Sequence, residues 1–166
     1  SKLIQAGISV KYDNRDTSSP GWKFAEYELK GVPVRVAIGP RDLENGTVEI
    51  ARRDTKEKQL VSLAEAPGII AELMTDIQDN IYNRAKVFQS DHTTRADTYE
   101  EFKNILESKS GFVMALWDGT AETEESIKQE TKDTIRCIPF GQDSEEGVCI
   151  YTGKPSKGRV VFAKAY

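Results

Sequence analysis

Apolar residues recur every three or four positions through the middle of the chain and mark one face of a long predicted helix. The pattern begins near Ala64 and is interrupted at residues 92–94, a His-Thr-Thr segment. This spacing is typical of an amphipathic helix, which has 3.6 residues per turn. The positions on the mainly apolar face are Ile70, Leu73, Ile77, Ile81, Arg84 and Phe88.

Before this helix, short strand patterns alternate with short helical patterns. The predicted strands are residues 8–12, 32–38 and 47–52, and the predicted helices are residues 1–6, 22–30 and 39–44. Strands that alternate with helices favour an α/β unit with a mixed sheet. No strand precedes the first helix, so we expect the first strand and much of that helix to have been removed. The charged residues 54–58 are interpreted as a link to the long helix.

The last part of the chain has the pattern of a small α+β domain. Two predicted helices, residues 98–108 and 122–132, accompany predicted strands at residues 111–117, 134–139 and 159–163. The break at residues 92–94 separates a first domain, residues 1–92, from a second domain, residues 93–166. The predicted core of the second domain is Phe112, Val113, Ala115, Trp117, Ile135, Ile138, Val161 and Phe162.

The composition is that of a folded protein. Hydrophobic residues make up 38% of the chain and charged residues 30%, which supplies a core and argues against disorder. No apolar run approaches the roughly 20 residues of a membrane-spanning helix, so no membrane partner is expected. Cys137 and Cys149 are too few for a disulfide framework, and reduced thiols favour a cytoplasmic protein.

The distribution of charge restricts where a nucleic acid could bind. The net charge of −4 argues against a generally basic surface. Residues 1–60 nevertheless carry eleven Lys or Arg and nine Asp or Glu, whereas the remainder carries twelve and eighteen. Any contact with RNA is therefore expected in the first half, through a few placed residues.

Several strings of residues, spread over essentially the whole chain, resemble a known family. They are Gly21–Pro33 (GWKFAEYELKGVP), Ile38–Leu43 (IGPRDL), Arg52–Asp54, Thr134–Phe140 (TIRCIPF), Thr152–Ser156 (TGKPS) and Val161–Tyr166 (VFAKAY). In this order they resemble the anticodon-binding and C-terminal domains of prolyl-tRNA synthetases of the archaeal and eukaryotic type. The resemblance implies a class II synthetase anticodon-binding domain with a mixed sheet, its first strand missing, followed by a small α+β domain of the zinc-binding-like type.

The resemblance also implies a role in a ligase that joins proline to tRNA with ATP and magnesium. The catalytic motifs of the family are not in this sequence. We therefore expect the fragment to be inactive alone, to hold no cofactor and to help select proline tRNA by its anticodon loop. Its other expected partners are the catalytic domain of the same chain and a second copy in a homodimer of the whole enzyme, but not DNA.

Proline anticodons end in two guanines, so the domain must recognise guanine in a single-stranded loop. Such loops are read by stacking bases on aromatic or arginine planes and by bonding to the base edges. By resemblance, Phe24 is a stacking surface, and Glu28 and Asp42 accept hydrogen bonds from guanine. Arg35 donates to a base or a phosphate. Arg52, Arg53 and Lys56 are expected to contact the RNA backbone or a base. The predicted anticodon-binding set is Phe24, Glu28, Arg35, Asp42, Arg53 and Lys56.

Each of these residues has a simpler alternative role. Phe24 could belong to the core, and Glu28 could be a solvated helix residue. Asp42 could favour the N-terminal end of a short helix, and Arg53 could be a solvated strand end. Arg35 is harder to explain in this way, because it interrupts an apolar strand and a buried arginine needs a partner.

Members of this family often carry a four-cysteine zinc site in the C-terminal domain. The matching positions in this chain are Asp118, Thr123, Cys149 and Thr152. One thiolate with one carboxylate is a poor tetrahedral zinc site, so we expect no zinc. The resemblance further implies that Tyr166 lies near the active site in the full-length enzyme.

Two other classes of function remain open at this point. The chain could be a free-standing accessory module that uses an anticodon-binding fold to dock to another protein. It could also be an enzyme that pairs Cys149 with His92, although no local motif supports a nucleophile there.

Overall fold

The computed structural model of the chain describes residues 2–109, 111–142 and 145–164. Two compact units, residues 1–85 and 86–166, divide the chain. The division falls inside the long helix, whereas the sequence places the domain boundary after His92. The last helical turn belongs with the second unit, because His92 stacks on Phe88 and the Thr93 hydroxyl donates to the Gln89 carbonyl.

The first unit contains four helices and a three-stranded sheet in its described residues. The elements are α1 (Lys2–Gln5), α2 (Pro20–Leu29), β1 (Val34–Ala37), α3 (Pro40–Asn45), β2 (Thr47–Arg52), β3 (Lys58–Ser62) and α4 (Ala66–Asp91), which continues into the second unit. The sheet order is β1-β2-β3, and both pairs are antiparallel. The connection between β1 and β2, residues 38–46, is shorter than the dozen or so residues that a parallel crossover needs.

The two faces of this sheet have different roles. Val48 and Ile50 of β2 are 1% exposed and form a core with Ala66 and Ile70 of α4. Side chains alternate along a strand, so Ala51, which follows Ile50, points to the opposite face. Its neighbours across the sheet, Arg35 of β1 and Lys58 of β3, share that face. The face that carries Arg35 is therefore more polar, and α2 packs against it.

Two parts of the first unit differ from the prediction. Residues 8–12 do not form a strand, because the Ile8 amide donates to the Leu3 carbonyl and so closes the end of α1. The strand β3 lies partly in what the sequence suggests is a charged link. Its sequence, Lys-Gln-Leu-Val-Ser, lacks the alternation of apolar and polar residues that marks a half-buried strand, and most of its residues are exposed.

The second unit surrounds a four-stranded mixed sheet. Its elements are β4 (Thr93–Ala96), α5 (Tyr99–Ser108), β5 (Phe112–Leu116), α6 (Ala121–Thr131), β6 (Asp133–Cys137), β7 (Gly147–Val148), β8 (Pro155–Ser156) and β9 (Arg159–Lys164). The order is β4-β5-β9-β6, with β4 parallel to β5 and the other neighbours antiparallel. The strand β4 falls on the predicted break at residues 92–94. The helices and strands of both units confirm the predicted fold class. The parallel pair that makes a sheet mixed, β4–β5, lies in the second unit, whereas the described strands of the first unit pair only antiparallel.

The core of the second unit lies between this sheet and the helices α5 and α6. Its buried residues are Ala96, Phe102, Val113, Ala115, Ile127, Val160 and Phe162. Val113, Ala115 and Phe162 confirm part of the predicted core. Phe112 and Ile138 were expected there but are 41% and 61% exposed. Phe112 precedes the inward-facing Val113, so the alternation along β5 directs it outward.

Candidate nucleic-acid interface

A groove on the first unit collects most of the predicted anticodon-binding residues. It has a volume of about 200 Å³ and is bounded by α2, by β1 and by the end of the β2–β3 hairpin. This volume is below the roughly 300–1,000 Å³ of small-molecule sites. Its lining residues are Phe24, Tyr27, Glu28, Val32, Arg35, Ala51, Arg52, Arg53, Lys56 and Lys58.

Arg35 stacks on Phe24 in this groove. Its guanidinium carbon lies 3.6 Å from the centroid of the Phe24 ring, which is a close cation–π contact. The Nη2 atom of Arg35 lies 3.3 Å from Oε1 of Glu49, the neighbouring strand's carboxylate. The Nη1 atom is buried and has no hydrogen-bond partner among the described residues. A buried donor without a partner is uncommon in folded proteins and points to a group that the groove can still bind.

Glu28 and Lys56 form an ion pair across the groove. Their side chains are 48% and 64% exposed, so both remain accessible to solvent. Exposed ion pairs of this kind contribute little free energy, on the order of 0–1 kcal/mol. The Glu28 carboxylate can therefore exchange Lys56 for another donor at small cost.

Arg53 connects the hairpin end to α2. Its Nε atom donates to the Glu28 carbonyl at 3.0 Å, and its backbone amide donates to the Pro33 carbonyl at 2.9 Å. Arg53 thus anchors the helix end that carries Glu28, in addition to lining the groove.

Asp42 does not line this groove. Its Oδ2 atom accepts a hydrogen bond from the Gly39 amide at 2.7 Å, at the N-terminal end of α3. This is the alternative role that the sequence allows for Asp42, since a carboxylate there satisfies an unpaired amide.

Lys58, which was not predicted, and Arg52, which was expected to contact the RNA backbone or a base, also line the groove. The position of Lys58 follows from the register of the sheet. Ala51 pairs with Arg35 on one side and with Lys58 on the other, so the two basic residues share a face. Arg52 is engaged elsewhere, in ion pairs with Asp54 and Asp76. These pairs hold the pKa of Arg52 above its usual range, chiefly through the hydrogen bond to Asp54.

In the second unit, three of the four positions that match the family's zinc ligands form a hydrogen-bonded cluster around Asp118. Oδ2 of Asp118 accepts from the hydroxyls of Thr123 and Thr152, both at 2.8 Å. Oδ1 accepts from the backbone amide of Thr120 at 3.1 Å and from its hydroxyl at 2.9 Å. Burial raises the pKa of Asp118, but the bonds from Thr152 and Thr123 outweigh it, so the pKa is lowered.

This donor set does not fit zinc. The hydroxyls of Thr123 and Thr152 are neutral and donate hydrogen bonds to Asp118. Cys149 is the one thiol among the four positions. Structural zinc is held by four thiolate or imidazole ligands in most sites. Among the described residues, no group of three or more His, Cys, Asp or Glu side chains is arranged to hold a metal ion.

Two further predictions concern Tyr166 and the pair of Cys149 and His92. Tyr166 lies outside the residues that the structure describes. Cys149 is 2% exposed, and His92 packs on Phe88 with its Nδ1 atom 2.8 Å from the Phe88 carbonyl. A thiol this buried is poorly accessible to a substrate, which disfavours the Cys149–His92 alternative. No helix in the described part of the chain is both long and apolar enough to cross a membrane.

Comparison with known proteins gives an independent indication of the family. A family model described as an anticodon binding domain matches residues 1–73, and one described as the C-terminal part of prolyl-tRNA synthetase matches residues 99–166. Proline–tRNA ligase of Christiangramia forsetii is 54% identical over 165 residues, 99% of this chain. The proline–tRNA ligases of Porphyromonas gingivalis and Cytophaga hutchinsonii are each 59% identical, over 99% and 96% of the chain.

The chain spans about a third of the length of these relatives, 34%, 34% and 32% respectively. The two family models follow one another along the chain in the order that the resemblance implies. The chain therefore belongs to the prolyl-tRNA synthetase family, of which it comprises the anticodon-binding domain and the C-terminal domain.

Proposed function

We propose that the groove of the first unit binds the anticodon loop of proline tRNA and reads its guanines. The observation that carries this proposal is the stack of Arg35 on Phe24 beside the carboxylate of Glu28. Among the described residues, Glu28 is the one acidic residue that lines the groove. The other charged residues there are Arg35, Arg52, Arg53, Lys56 and Lys58.

The groove offers both kinds of contact that a single-stranded base requires. A base can stack on the outer plane of the Arg35 guanidinium or replace it on Phe24, since both surfaces suit the face of a base. The unpartnered Nη1 donor of Arg35 fits the O6 and N7 acceptors of guanine or a phosphate oxygen.

Glu28 supplies the complementary acceptor. The Watson–Crick edge of guanine presents adjacent N–H donors, and a carboxylate with two oxygens accepts both. When Glu28 turns to the base, Lys56 is released from its ion pair and can neutralise a nearby phosphate. Adenine lacks these adjacent donors, so the exchange favours guanine.

The role of Asp42 as a guanine acceptor stays a prediction. It requires the carboxylate either to bind the base with its second oxygen or to give up its bond to Gly39. Substitution of Asp42 by Asn separates the two roles, because an amide oxygen can still accept from Gly39 but is a weaker partner for guanine.

In the whole protein, this segment would select the tRNA while the rest of the longer chain carries out the ligation. We propose the activity that the relatives' name states, joining of proline to its tRNA, with ATP and magnesium used outside this segment. The whole enzyme is proposed to act as a homodimer in the cytoplasm. The second unit is proposed to fold without zinc.

The proposal is tested by measuring the affinity of the chain for two anticodon stem-loop RNAs. One carries the two guanines, and the other carries adenine at both positions in the same stem. We expect each lost guanine to cost about 1–3 kcal/mol, roughly 5- to 150-fold in affinity. Affinity for both RNAs should fall as salt is raised. Equal affinity for the two RNAs would contradict the proposal, and no binding to either would favour the protein-docking alternative.

A further inference from the structure

Asp54 lies in the turn between β2 and β3, residues 53–57, yet its side chain is only 1% exposed. Its carboxylate accepts from Nε and Nη2 of Arg52 at 2.9 and 2.8 Å, a bidentate pair. Oδ2 also accepts from the side-chain amide of Asn80, on α4, at 2.6 Å. A buried carboxylate with three donors is held in one geometry, since bidentate arginine pairs fix direction as well as distance.

This arrangement ties the turn to α4. Asn80 and Arg84 of α4 contact the carboxylate and the backbone carbonyl of Asp54, at 2.6 and 3.4 Å. Nη1 of Arg52 reaches a third residue of the helix, Asp76, at 2.5 Å. The pKa of Asp54 is held well below its usual range, chiefly by Arg52 and further by Asn80, so the carboxylate stays ionised at neutral pH.

The same turn carries two of the groove's cations. Arg53 precedes Asp54 and donates to the Glu28 carbonyl of α2, whereas Asp54 contacts α4. Lys56 pairs with the Glu28 carboxylate and adopts φ = 66°, a left-handed conformation that non-glycine residues avoid without support from their surroundings. The position of the turn therefore decides where Arg53 and Lys56 stand relative to Glu28.

We propose that Asp54 is a positioning residue for the groove. It holds the 53–57 turn against α4, so that Arg53 and Lys56 present a fixed pattern of donors, and it sets the preference for guanine without touching the RNA. This inference rests on the proposed function of the groove. A purely structural role for Asp54 would give a different result, because the protein that remained folded would still prefer guanine to the same degree.

The test compares three variants of the chain. Asp54→Asn removes the charge that holds Arg52. Asn80→Ala removes the link from the Asp54 carboxylate to α4 and leaves the Arg52–Asp54 pair in place. Asp79→Asn is the control, because it changes the net charge as Asp54→Asn does. The Asp79 side chain is exposed next to Asn80 and forms no hydrogen bond or ion pair within the described residues.

Each variant is tested with the guanine and adenine stem-loops at several salt concentrations, below its own unfolding temperature. We expect Asp54→Asn and Asn80→Ala each to lower the guanine preference at least about fivefold, and Asp79→Asn to keep it within about twofold. The slope of log affinity against log salt should become shallower by about one phosphate contact in the first two variants. If Asp54→Asn does not fold, Asn80→Ala decides.

A wild-type preference that persists in folded Asp54→Asn and Asn80→Ala would overturn this inference and leave the proposed function intact. A loss of preference that also occurs in Asp79→Asn would overturn it as well, because the effect would then follow net charge. Equal binding of both RNAs by the unsubstituted chain would instead overturn the proposed function, and this inference with it.

Discussion

The guanidinium carbon of Arg35 lies 3.6 Å from the ring centroid of Phe24, so the two side chains form one flat, positively charged surface at the floor of the groove. Phe24 comes from α2 and Arg35 from β1, and neither is an end residue of its element. The surface is therefore set by the packing of helix on strand and does not depend on a loop.

Replacement of Phe24 by Leu should weaken RNA binding while the unit remains folded. Leucine retains apolar volume but removes the aromatic plane under Arg35. Base stacking on a side chain contributes about 1–3 kcal/mol, so we expect a loss of roughly 5- to 150-fold in affinity. Fluorescence anisotropy with a labelled anticodon stem-loop measures this loss.

Trp22 provides the matched control for this substitution. It lies on the same helix, is 53% exposed and does not line the groove. Replacement of Trp22 by Leu should leave RNA affinity within about twofold. Equal losses in the two variants would contradict the assignment of Phe24 as the stacking surface.

The Asp118 cluster should hold the second unit together without a metal. Replacement of Thr123 by Val preserves shape but removes its hydrogen bonds with the half-buried Asp118 carboxylate and with the Thr120 hydroxyl. A hydrogen bond to a charged group contributes about 1.5–3 kcal/mol. Urea unfolding of the variant should show a loss of this size. The matched control is replacement of Thr134 by Val, because the Thr134 side chain forms no hydrogen bond in the described part of the chain. This change should alter the free energy of unfolding by less than about 0.5 kcal/mol.

Metal content provides the second half of this test. Elemental analysis of the purified chain should find far less than one zinc per molecule, and a chelator should leave the unfolding temperature unchanged. About one zinc per chain, released together with a fall in stability, would contradict the expected metal-free fold.

Asp133 should lower the stability of the second unit as pH rises through the folded-state pKa of its carboxyl group. It is 2% exposed and its Oδ1 atom has no hydrogen-bond partner among the described residues. Burial raises its pKa in the folded state above the usual value of about 3.9. The fold therefore favours the protonated form, and ionisation of Asp133 costs stability as pH rises through this raised pKa.

Substitution of Asp133 by Asn should remove this penalty. We expect the variant to gain stability relative to the unsubstituted chain at pH 7, and the gain to disappear below about pH 3.9, where the carboxylate is protonated in both states. Denaturant unfolding at a series of pH values measures the difference. A gain that is independent of pH would show that charge burial is not its cause.

Much of the groove can be predicted from the sequence, because several of the residues that line it belong to clear helix and strand patterns. Phe24 and Glu28 lie one helical turn apart on α2, and Arg35 interrupts an otherwise apolar strand. The resemblance then assigns these residues a common purpose. The resemblance does not give the hydrogen-bond partner of each side chain. Asp42 is an example, because it lies outside the groove and accepts a hydrogen bond from the Gly39 amide.

Features that depend on the register of distant segments were less predictable. Residues 8–12 have strand-like composition, but the Ile8 amide is used by α1. The strand β3 has polar composition and becomes a strand because the hairpin pairs it with β2. The link from Asp54 to Asn80 joins residues 26 positions apart and leaves no trace in local composition.

The proposed hydrogen bond between Glu28 and guanine can be tested by combining one change in the protein with one change in the RNA. Glu28→Gln replaces a carboxylate oxygen by an amide group, and inosine in place of guanine removes the 2-amino donor. The four affinities of this cycle, measured for each guanine in turn, give the coupling between the two groups. If Glu28 accepts from guanine, the coupling at one position should be about 1 kcal/mol or more, whereas additive effects at both positions would contradict the account.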